Sequence, residues 1–255
     1  MLTVTGEITE DMEYLIDMHD HIVPEVDDGS QSMEESIALI DMEYKEGVRK
    51  IICTPHYIRG QNRYEYAGLE ESFEKLKQKV EEKYPDMELY LGNEVLIENG
   101  ITDDIRSGGL IHSMAGGKYM LFEFNIRIPF HELYDAIKAV VETRVRPIIA
   151  HVERYRCLVG HLDRIEELKS LGLLLQINAD SLEGGLFDEN TRWCKKLISG
   201  GYIEFISSDC HDPENRIPSF KAARTWIRKK LGEDMEDALF RGNAEKVISN
   251  EFIRV

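Results

Sequence analysis

Cysteine and positive charge are both scarce in this sequence, and each scarcity argues against a class of protein. The 255 residues include four cysteines and no C-x-x-C pair, so we expect no zinc knuckle and a reducing environment. Lysine and arginine number 31 against 48 aspartates and glutamates, which gives a formal net charge of −17. Because nucleic acids and anionic membrane surfaces attract basic proteins, neither is an expected partner.

Long apolar runs and a secretory leader are also missing. No stretch approaches the roughly 18 apolar residues that a membrane-spanning helix requires, and residues 1–13 lack the basic and apolar regions of a signal peptide. We therefore expect a cytoplasmic protein without direct membrane insertion. Hydrophobic residues make up 42% of the chain, enough for a full core. With no linker-like run to divide it, we predict an N-terminal extension over residues 1–13 and a single domain over residues 14–255.

The chain does contain a regular alternation of short β-rich runs and longer amphipathic segments, which is typical of repeated β-α units. Seven strands are predicted, at residues 14–22, 48–57, 87–95, 118–124, 145–153, 173–180 and 202–211. Helices are predicted between and after them at residues 32–47, 64–84, 131–144, 161–172, 190–200, 219–232 and 234–250. The pattern predicts an α/β fold, and the chain length suits one barrel of parallel strands.

Every predicted strand ends in a polar side chain that could bind a ligand or a metal ion. In strand order these residues are His19 and His21, His56, Glu94, Glu123, His151, Asn178 and Asp180, and Asp209 with His211. In barrels of parallel strands, residues from the ends of several strands meet at the C-terminal mouth, where the chemistry takes place. Side chains at i and i+2 share a face, so His19 and His21 point to the same place.

The number and type of these residues predict a metal site with more than one ion. Either Asp27 or Asp28, in the loop after the first strand, can fold back as a further ligand. Five histidines and four acids exceed the ligands of one ion; they are His19, His21, His56, His151 and His211 with Asp28, Glu94, Glu123 and Asp209. A set without thiolate favours Mn, Fe or Zn over Ca. Two or three bridged ions suit the hydrolysis of phosphate esters. Arg154 and Arg216 adjoin the candidate ligands and offer planar forks of donors to phosphate.

A second phosphatase pattern occurs twice and is interpreted as coincidence. A cysteine followed after five residues by an arginine marks thiol-based phosphatases, and it appears here from Cys53 to Arg59 and from Cys210 to Arg216. Such a loop wraps phosphate with backbone N–H groups, and each loop here contains a proline, which has none. Each loop also contains a predicted metal ligand. We therefore expect Cys53 to lie in the core and the Cys210 side chain to point away from those of Asp209 and His211.

Six motifs carry a resemblance to a known family. In chain order they are DMHDHIVPEVDDGSQSMEES, GVRKIICTPHY, LYLGNEV, LFEF, IIAHVERY and SSDCHDPENRIP, between about residues 14 and 250. Together they resemble the polymerase-and-histidinol-phosphatase (PHP) superfamily and, more narrowly, its bacterial metal-dependent protein-tyrosine phosphatases of capsule and exopolysaccharide operons. The resemblance implies the PHP fold, a distorted TIM-like (β/α)7 barrel with the metal site at the C-terminal ends of its strands. One departure is Asp20, which stands where that family has a small residue.

The resemblance also implies a site of three divalent ions, most often Mn²⁺, with Fe or Zn as alternatives. The ions would be held in turn by His19, His21, Glu94 and Asp209; by Glu94, Glu123 and His151; and by Asp28, His56 and His211. Arg154 and Arg216 would bind the phosphate, and a metal-bound hydroxide would attack phosphorus without a phospho-enzyme intermediate. The implied substrate is the phosphorylated C-terminal tyrosine tail of a bacterial tyrosine kinase that regulates polysaccharide synthesis.

Three other functions stay open at the level of sequence. A PHP phosphatase for a small metabolite such as histidinol phosphate would have a deep, closed pocket, whereas an open mouth suits a peptide. A non-catalytic partner of the kinase could keep its metals for stability. A nuclease role is disfavoured by the net charge of −17. The sequence is also compatible with a homo-oligomer.

Overall fold

The computed structural model describes residues 14–61, 66–108, 111–185 and 187–254. The predicted extension over residues 1–13 lies outside the described residues. The strands are Leu15–Asp20 (β1), Val48–Cys53 (β2), His56–Tyr57 (β3), Glu88–Leu91 (β4), Glu94–Leu96 (β5), Tyr119–Glu123 (β6), Arg146–Ile149 (β7), Leu174–Asn178 (β8) and Phe205–Ser207 (β9). The helices are Met33–Glu46 (α1), Tyr66–Lys83 (α2), Ile101–Ser107 (α3), Phe130–Val141 (α4), Leu162–Ser170 (α5), Glu189–Ser199 (α6), Lys221–Leu231 (α7), Glu233–Asp237 (α8) and Asn243–Ile248 (α9).

These strands form a curled parallel sheet. One part has the order β1-β2-β4 and the other the order β3-β5-β6-β7-β8-β9. The two ends of the curl meet where β1 approaches the segment after β9, through a parallel bridge between Asp20 and Cys210. There the His21 N–H donates to the Cys210 carbonyl at 3.0 Å, and the Asp209 N–H donates to the His19 carbonyl at 2.8 Å. The predicted α/β fold with a distorted parallel barrel is confirmed.

Two of the seven predicted strands are broken, which the sequence analysis did not anticipate. The predicted strand 48–57 divides into β2 and β3 around Thr54 and Pro55, because Pro55 has no N–H to continue the ladder. The predicted strand 87–95 divides into β4 and β5 around Gly92 and Asn93. The Asn93 side chain donates to the Pro55 carbonyl at 2.8 Å, so the two breaks stabilise each other. β3 and β5 then pair anew, beginning with the candidate ligands of both strands.

Alternate residues of the strands contribute to two separate cores. One core packs strand residues such as Leu15, Ile51 and Leu175 against apolar side chains of the surrounding helices. The other contains their neighbours Ile16 and Ile52 and matching residues of β6 to β9, so it fills the interior of the curl. The interior core lies below the polar strand ends, because those ends follow it along each strand. The candidate site therefore has an apolar floor.

The predicted helix over residues 32–47 corresponds to α1, and its ends explain its position. The Ser32 side chain accepts a hydrogen bond from the Glu35 N–H, and Gly47 ends the helix with a φ of +101°. The predicted helix over residues 234–250 is instead α8, a π-helical turn over Ala238–Gly242, and α9. Among the described helices, none is both long enough and apolar enough to cross a membrane.

Candidate metal centre

All nine side chains predicted as metal ligands lie near one another at the C-terminal ends of the strands. An inner group consists of His19, His21, Glu94 and Asp209, all of them buried. The Nε2 atoms of His19 and His21 are 3.3 Å apart, and each lies 3.3 Å from Oε2 of Glu94. Oδ1 of Asp209 lies 3.4 Å from Nε2 of His19 and 3.6 Å from that of His21. Four potential ligand atoms thus surround one small space.

These separations fit a shared cation. In a tetrahedral site with metal–ligand distances of about 2.1 Å, neighbouring ligand atoms lie about 3.4 Å apart. The two imidazole nitrogens at 3.3 Å, both facing one carboxylate oxygen, have this separation. In addition, Nε2 of His211 is buried without a hydrogen-bond partner among the described residues and lies 3.7 Å from Oδ1 of Asp28. Imidazole and carboxylate together form a donor set that suits Mn, Fe or Zn.

Four of the five remaining predicted ligands fall into two further sets next to the inner group, and His151 falls into neither. The ligand atoms within each set lie within 4.8 Å of one another, and the sets are His21, Asp28, His56 and His211, and His56, Glu94 and Glu123. His56 joins the two, because its Nε2 is 3.3 Å from Oδ1 of Asp28 while its Nδ1 is 3.1 Å from Oε1 of Glu123. The family resemblance assigned His56 only to the set of Asp28 and His211. His151 contacts Glu94 at 2.8 Å and lies 3.9 Å from Glu123.

Glu94 is the centre of the cluster. Its carboxylate oxygens lie within 3.3 Å of four imidazoles, those of His19, His21, His56 and His151. Burial opposes the ionisation of Glu94, but the charges of His19 and His151 outweigh burial and hold its pKa well below the ordinary value. A carboxylate that faces this many ligands at once is placed to bridge ions.

The acids of the cluster also determine the protonation of its histidines. Burial disfavours the charged form of His56, but hydrogen bonds to Asp28 and Glu123 outweigh burial and raise its pKa to about 12. Burial also disfavours the charged form of His21, but the negative charge of Asp27 outweighs burial and raises the pKa of His21 to about 9. Metal ions bind neutral imidazole, so ions that enter the cluster displace these protons.

Both arginines that were predicted to bind phosphate lie beside the inner group. Nη2 of Arg154 is 3.0 Å from Oδ2 of Asp209, and Nη2 of Arg216 is 2.8 Å from the same oxygen. Their side chains are 37% and 38% exposed, so they line the opening of the site. A guanidinium has five N–H donors, so each arginine that contacts Asp209 keeps further donors for an anion at the opening.

Asp27 and Asp28, which the sequence analysis treated as alternatives, have different positions. Asp28 lies at His56, whereas Oδ2 of Asp27 is 2.7 Å from Nδ1 of His21 and accepts the His56 backbone N–H at 2.9 Å. The loop folds back closely because of Gly29, where a Cβ would lie 2.1 Å from the His21 carbonyl oxygen. Asp27 therefore orients the His21 ring through the nitrogen that faces away from the inner group.

Two amides on β8 also support the site: Asn178 was predicted as a ligand-capable residue at a strand end, whereas Gln176 was not among the predicted site residues. The Gln176 side-chain carbonyl accepts a hydrogen bond from the backbone N–H of His151 at 2.6 Å, and it lies 3.3 Å from Nδ1 of His19. The Gln176 amide donates to Asn178, and Asn178 donates to Oδ2 of Asp209 at 2.7 Å. The available signal was strand alternation, which places Gln176 on the same face as the strand-end Asn178.

Two candidate ligands have a left-handed backbone. The φ angle is +33° at His151, two residues after the end of β7, and +55° at Asp209, two residues after the end of β9. A non-glycine residue in this region costs about 1–3 kcal/mol, and it persists only where the surrounding structure imposes it. At both positions the turn ends the regular strand conformation next to the inner group.

The four cysteines are free thiols. Cys53 and Cys210 are fully buried, and burial raises the pKa of both thiols well above the ordinary value. Since the thiolate is the nucleophilic form, neither cysteine suits nucleophilic catalysis. Both contribute to the core between the strands and the helices, which was predicted for Cys53, while Cys210 was predicted only to point away from Asp209 and His211.

A change of Asp27 to asparagine is expected to weaken Mn²⁺ binding by about 10- to 100-fold, the range typical of lost orienting partners. The change keeps the size of the side chain and removes the negative charge beside Nδ1 of His21. Calorimetric titration of the metal-free protein measures the affinity. Asp103→Asn, at an exposed position of α3, is the control and should leave it unchanged. Equal affinities in both variants would contradict the orienting role of Asp27.

The curled parallel barrel has at its mouth a cluster of imidazoles and carboxylates that could hold more than one metal ion. A family profile described as capsular polysaccharide synthesis, CpsB/CapC, matches residues 15–249. The chain belongs to this CpsB/CapC family.

Named relatives and a solved structure agree with this assignment. Tyrosine-protein phosphatase CpsB of Streptococcus agalactiae is 28% identical over 244 residues, which cover 94% of this chain and 100% of the relative. CapC of Staphylococcus aureus is 31% identical over 245 residues, which cover 94% of this chain and 93% of the relative. One matching chain comes from the crystal structures of YwqE from Bacillus subtilis and CpsB from Streptococcus pneumoniae. These two proteins are described as metal-dependent tyrosine phosphatases, and the chain matches with a TM-score of 0.83. That chain is 27% identical, and the match covers 94% of this chain and 96% of that one.

Proposed function

We propose that this protein is a metal-dependent phosphomonoesterase that removes phosphate from phosphotyrosine on a partner tyrosine kinase, in the regulation of capsular or exopolysaccharide synthesis. The observation that carries the proposal is the cluster of imidazoles and carboxylates around Glu94, with two guanidinium groups at its edge. The named relatives, which cover almost the whole chain, are tyrosine-protein phosphatases.

The proposed site holds three divalent ions, with Mn²⁺ as the first candidate and Fe or Zn as alternatives. The ligands of the three ions are His19, His21, Glu94 and Asp209; Glu94, Glu123 and His151; and Asp28, His56 and His211. When bound, such ions activate a water molecule as the nucleophile and neutralise the phosphoryl oxygens. In this proposal Glu94 bridges two neighbouring ions, because one of its oxygens faces the ligands of one ion and the other oxygen faces the ligands of the next.

The arginines bind and orient the phosphate. Arg154 and Arg216 both contact the same oxygen of Asp209, which fixes both guanidinium groups at the opening. A planar fork matches two phosphoryl oxygens at once. Asp209 therefore serves both as a ligand and as the anchor of the phosphate-binding side chains.

The opening of the site suits a protein substrate. The Asp28 side chain is 58% exposed, so solvent reaches one edge of the cluster. Four exposed apolar residues, which we call the apolar rim, follow β6, β7, β8 and β9; they are Ile126, Val159, Phe187 and Ile217. Loops after the C-terminal ends of parallel strands lie at the same mouth as the ligands. Apolar side chains at this mouth favour a tyrosine-containing peptide over a small polar metabolite.

The test of the proposal is phosphate release from a tyrosine-phosphorylated peptide by chelator-stripped protein, with and without added Mn²⁺. Histidinol phosphate is the parallel substrate. We expect release from the peptide that depends on Mn²⁺. Release mainly from histidinol phosphate would assign the protein to the metabolite phosphatases. If neither substrate reacts while metals are bound, the protein is a non-catalytic member of the family.

The apolar rim gives a prediction about substrate affinity. The double change Phe187→Ser and Ile217→Ser should raise KM for the phosphotyrosyl peptide by about 10-fold, because two apolar contacts are lost. The kcat/KM for p-nitrophenyl phosphate, which is too small to reach the rim, should stay unchanged.

Phe252→Ser is the matched control for the rim. Phe252 is 67% exposed, but it packs against Arg146, the first residue of β7, and so lies at the opposite end of the barrel. Phe252→Ser should leave the kinetic constants for both the peptide and p-nitrophenyl phosphate unchanged. A larger loss for p-nitrophenyl phosphate than for the peptide would show that the rim shapes the metal site rather than binding the peptide.

A further inference from the structure

A second group of metal-binding side chains lies on the outer face of β1, between the strands and α1. Asp20 is paired with Cys53 on one side and bridges to Cys210 on the other. Glu43 of α1 approaches the same place, and Cys210 Sγ lies 3.3 Å from its Oε1. We call Asp20, Glu43 and Cys210 the outer cluster; all three are buried, and their ligand atoms lie within 4.8 Å of one another.

The outer cluster has carboxylate oxygens without well-formed hydrogen bonds. Both oxygens of Asp20 and Oε2 of Glu43 are buried and have no well-formed hydrogen bond within the described part of the chain, although the Ile22 backbone N–H lies near Asp20 and Asp17 lies near Glu43. No described ion pair contains either residue. Buried carboxylates are ordinarily hydrogen-bonded, paired with a cation or bound to a metal ion. Three such oxygens beside a thiol therefore require either protons or a bound cation.

A neighbouring carboxylate increases the need for that charge. Asp17 is fully buried on the same strand, and its charge acts on both Asp20 and Glu43. Two states can satisfy the cluster: protons on the carboxyl groups, or a metal ion in place of those protons.

We propose that the outer cluster binds one divalent transition-metal ion of the zinc type through Asp20, Glu43 and Cys210, separate from the metal centre at the mouth. Thiolate with carboxylate is a donor set that zinc accepts and that calcium and magnesium do not. Binding replaces the proton of the Cys210 thiol and those of the carboxyl groups, which leave to solvent, and no group is oxidised or reduced.

A disulfide does not explain the two thiols near Asp20. Cys53 and Cys210 belong to the neighbours of β1 on its two sides, so two strand spacings separate their backbones, about 9.5 Å. Disulfides need Cα atoms within about 7 Å of each other. Reversible oxidation between these cysteines is therefore not available, whereas metal binding by Cys210 needs no movement of the strands.

The position of the outer cluster gives the ion a structural effect. Asp20 stands between His19 and His21, and Cys210 stands between Asp209 and His211. An ion bound by Asp20, Cys210 and Glu43 of α1 would hold these two pairs of ligands in place from the outer face of β1. The outer site would thus hold the mouth of the barrel in shape without contacting the substrate.

Cobalt provides a test that is specific to this site. Because the cluster is buried, the ion must enter during folding, so the full-length protein is expressed in cobalt-supplemented, zinc-depleted medium. Thiolate bound to Co²⁺ gives a sulfur-to-metal charge-transfer absorption in the near ultraviolet. Of the potential metal-ligand groups in the described residues, only the outer cluster contains a cysteine. We expect the band in the wild-type protein and its loss in Glu43→Gln and Cys210→Ala.

A control variant and a measurement of thermal stability distinguish a bound metal ion from bound protons. Cys194→Ala removes another buried cysteine, on α6, and should keep the band. Glu43→Gln resembles a protonated Glu43, so under the proton state it would leave the thermal stability unchanged, whereas under the metal state it lowers the melting temperature of the metal-loaded protein. A wild-type protein that contains cobalt but lacks the charge-transfer band would overturn the proposal, whatever the variants do.

Discussion

Replacement of Glu94 by glutamine is expected to lower kcat/KM for a phosphotyrosyl peptide by about 1,000-fold or more. The amide has nearly the same shape, but it lacks the charge that faces four imidazoles. Loss of a single transition-state donor commonly costs about 100- to 1,000-fold, and Glu94 acts on more than one ion in the proposed site. Metal analysis of the purified variant should also show fewer than the full number of bound ions.

Glu98→Gln is the matched control for this change. Glu98 lies four residues further along the chain at an exposed position, so the same chemical change there should leave both activity and metal content intact. Circular dichroism shows whether Glu94→Gln keeps the fold. A folded variant with near-normal turnover would be incompatible with Glu94 as the bridging ligand.

Replacement of Arg154 by alanine should lower kcat/KM by about 100-fold while metal content stays the same. The reason is that Arg154 contributes donors for the phosphate but no ligand atom. The effect should appear equally with p-nitrophenyl phosphate, because the phosphate is common to both substrates. Steady-state kinetics with both substrates, together with metal analysis, measures these quantities.

Arg156 provides the comparison for Arg154. It is also exposed, lies two residues further along the same loop, and uses its backbone N–H to bond the Ile126 carbonyl. Arg156→Ala should therefore keep full activity. If Arg154→Ala loses metal as well as activity, the main role of the arginine is to fix Asp209, and phosphate binding would rest on Arg216.

The sequence predicted which polar side chains lie together better than it predicted the breaks in the sheet. A ligand-capable residue at the end of an apolar run is a local signal, and His19, Glu94 and His151 lie near one another because parallel strands bring their C-terminal ends to one edge. The breaks around Pro55 and Gly92 involve the packing of two segments against each other, about 40 residues apart in the chain. No pattern within either strand reveals that contact.

The supporting residues were harder to predict than the ligands. Asp27 and Asp28 are identical in type and adjacent in sequence, and only the fold of the loop around Gly29 separates their roles. Glu43 appears in the sequence as one more acid of an amphipathic helix, and its burial follows from how α1 lies on the strands. Polar residues whose roles depend on long-range packing leave little trace in local patterns.

The left-handed backbone at His151 and Asp209 implies a trade between stability and activity. Glycine adopts this conformation without strain, so His151→Gly should remove the ligand and yet unfold at a higher temperature than His151→Ala. A lineage selected only for folding would drift toward glycine at both positions. Histidine and aspartate at these positions keep a backbone strain that glycine would relieve.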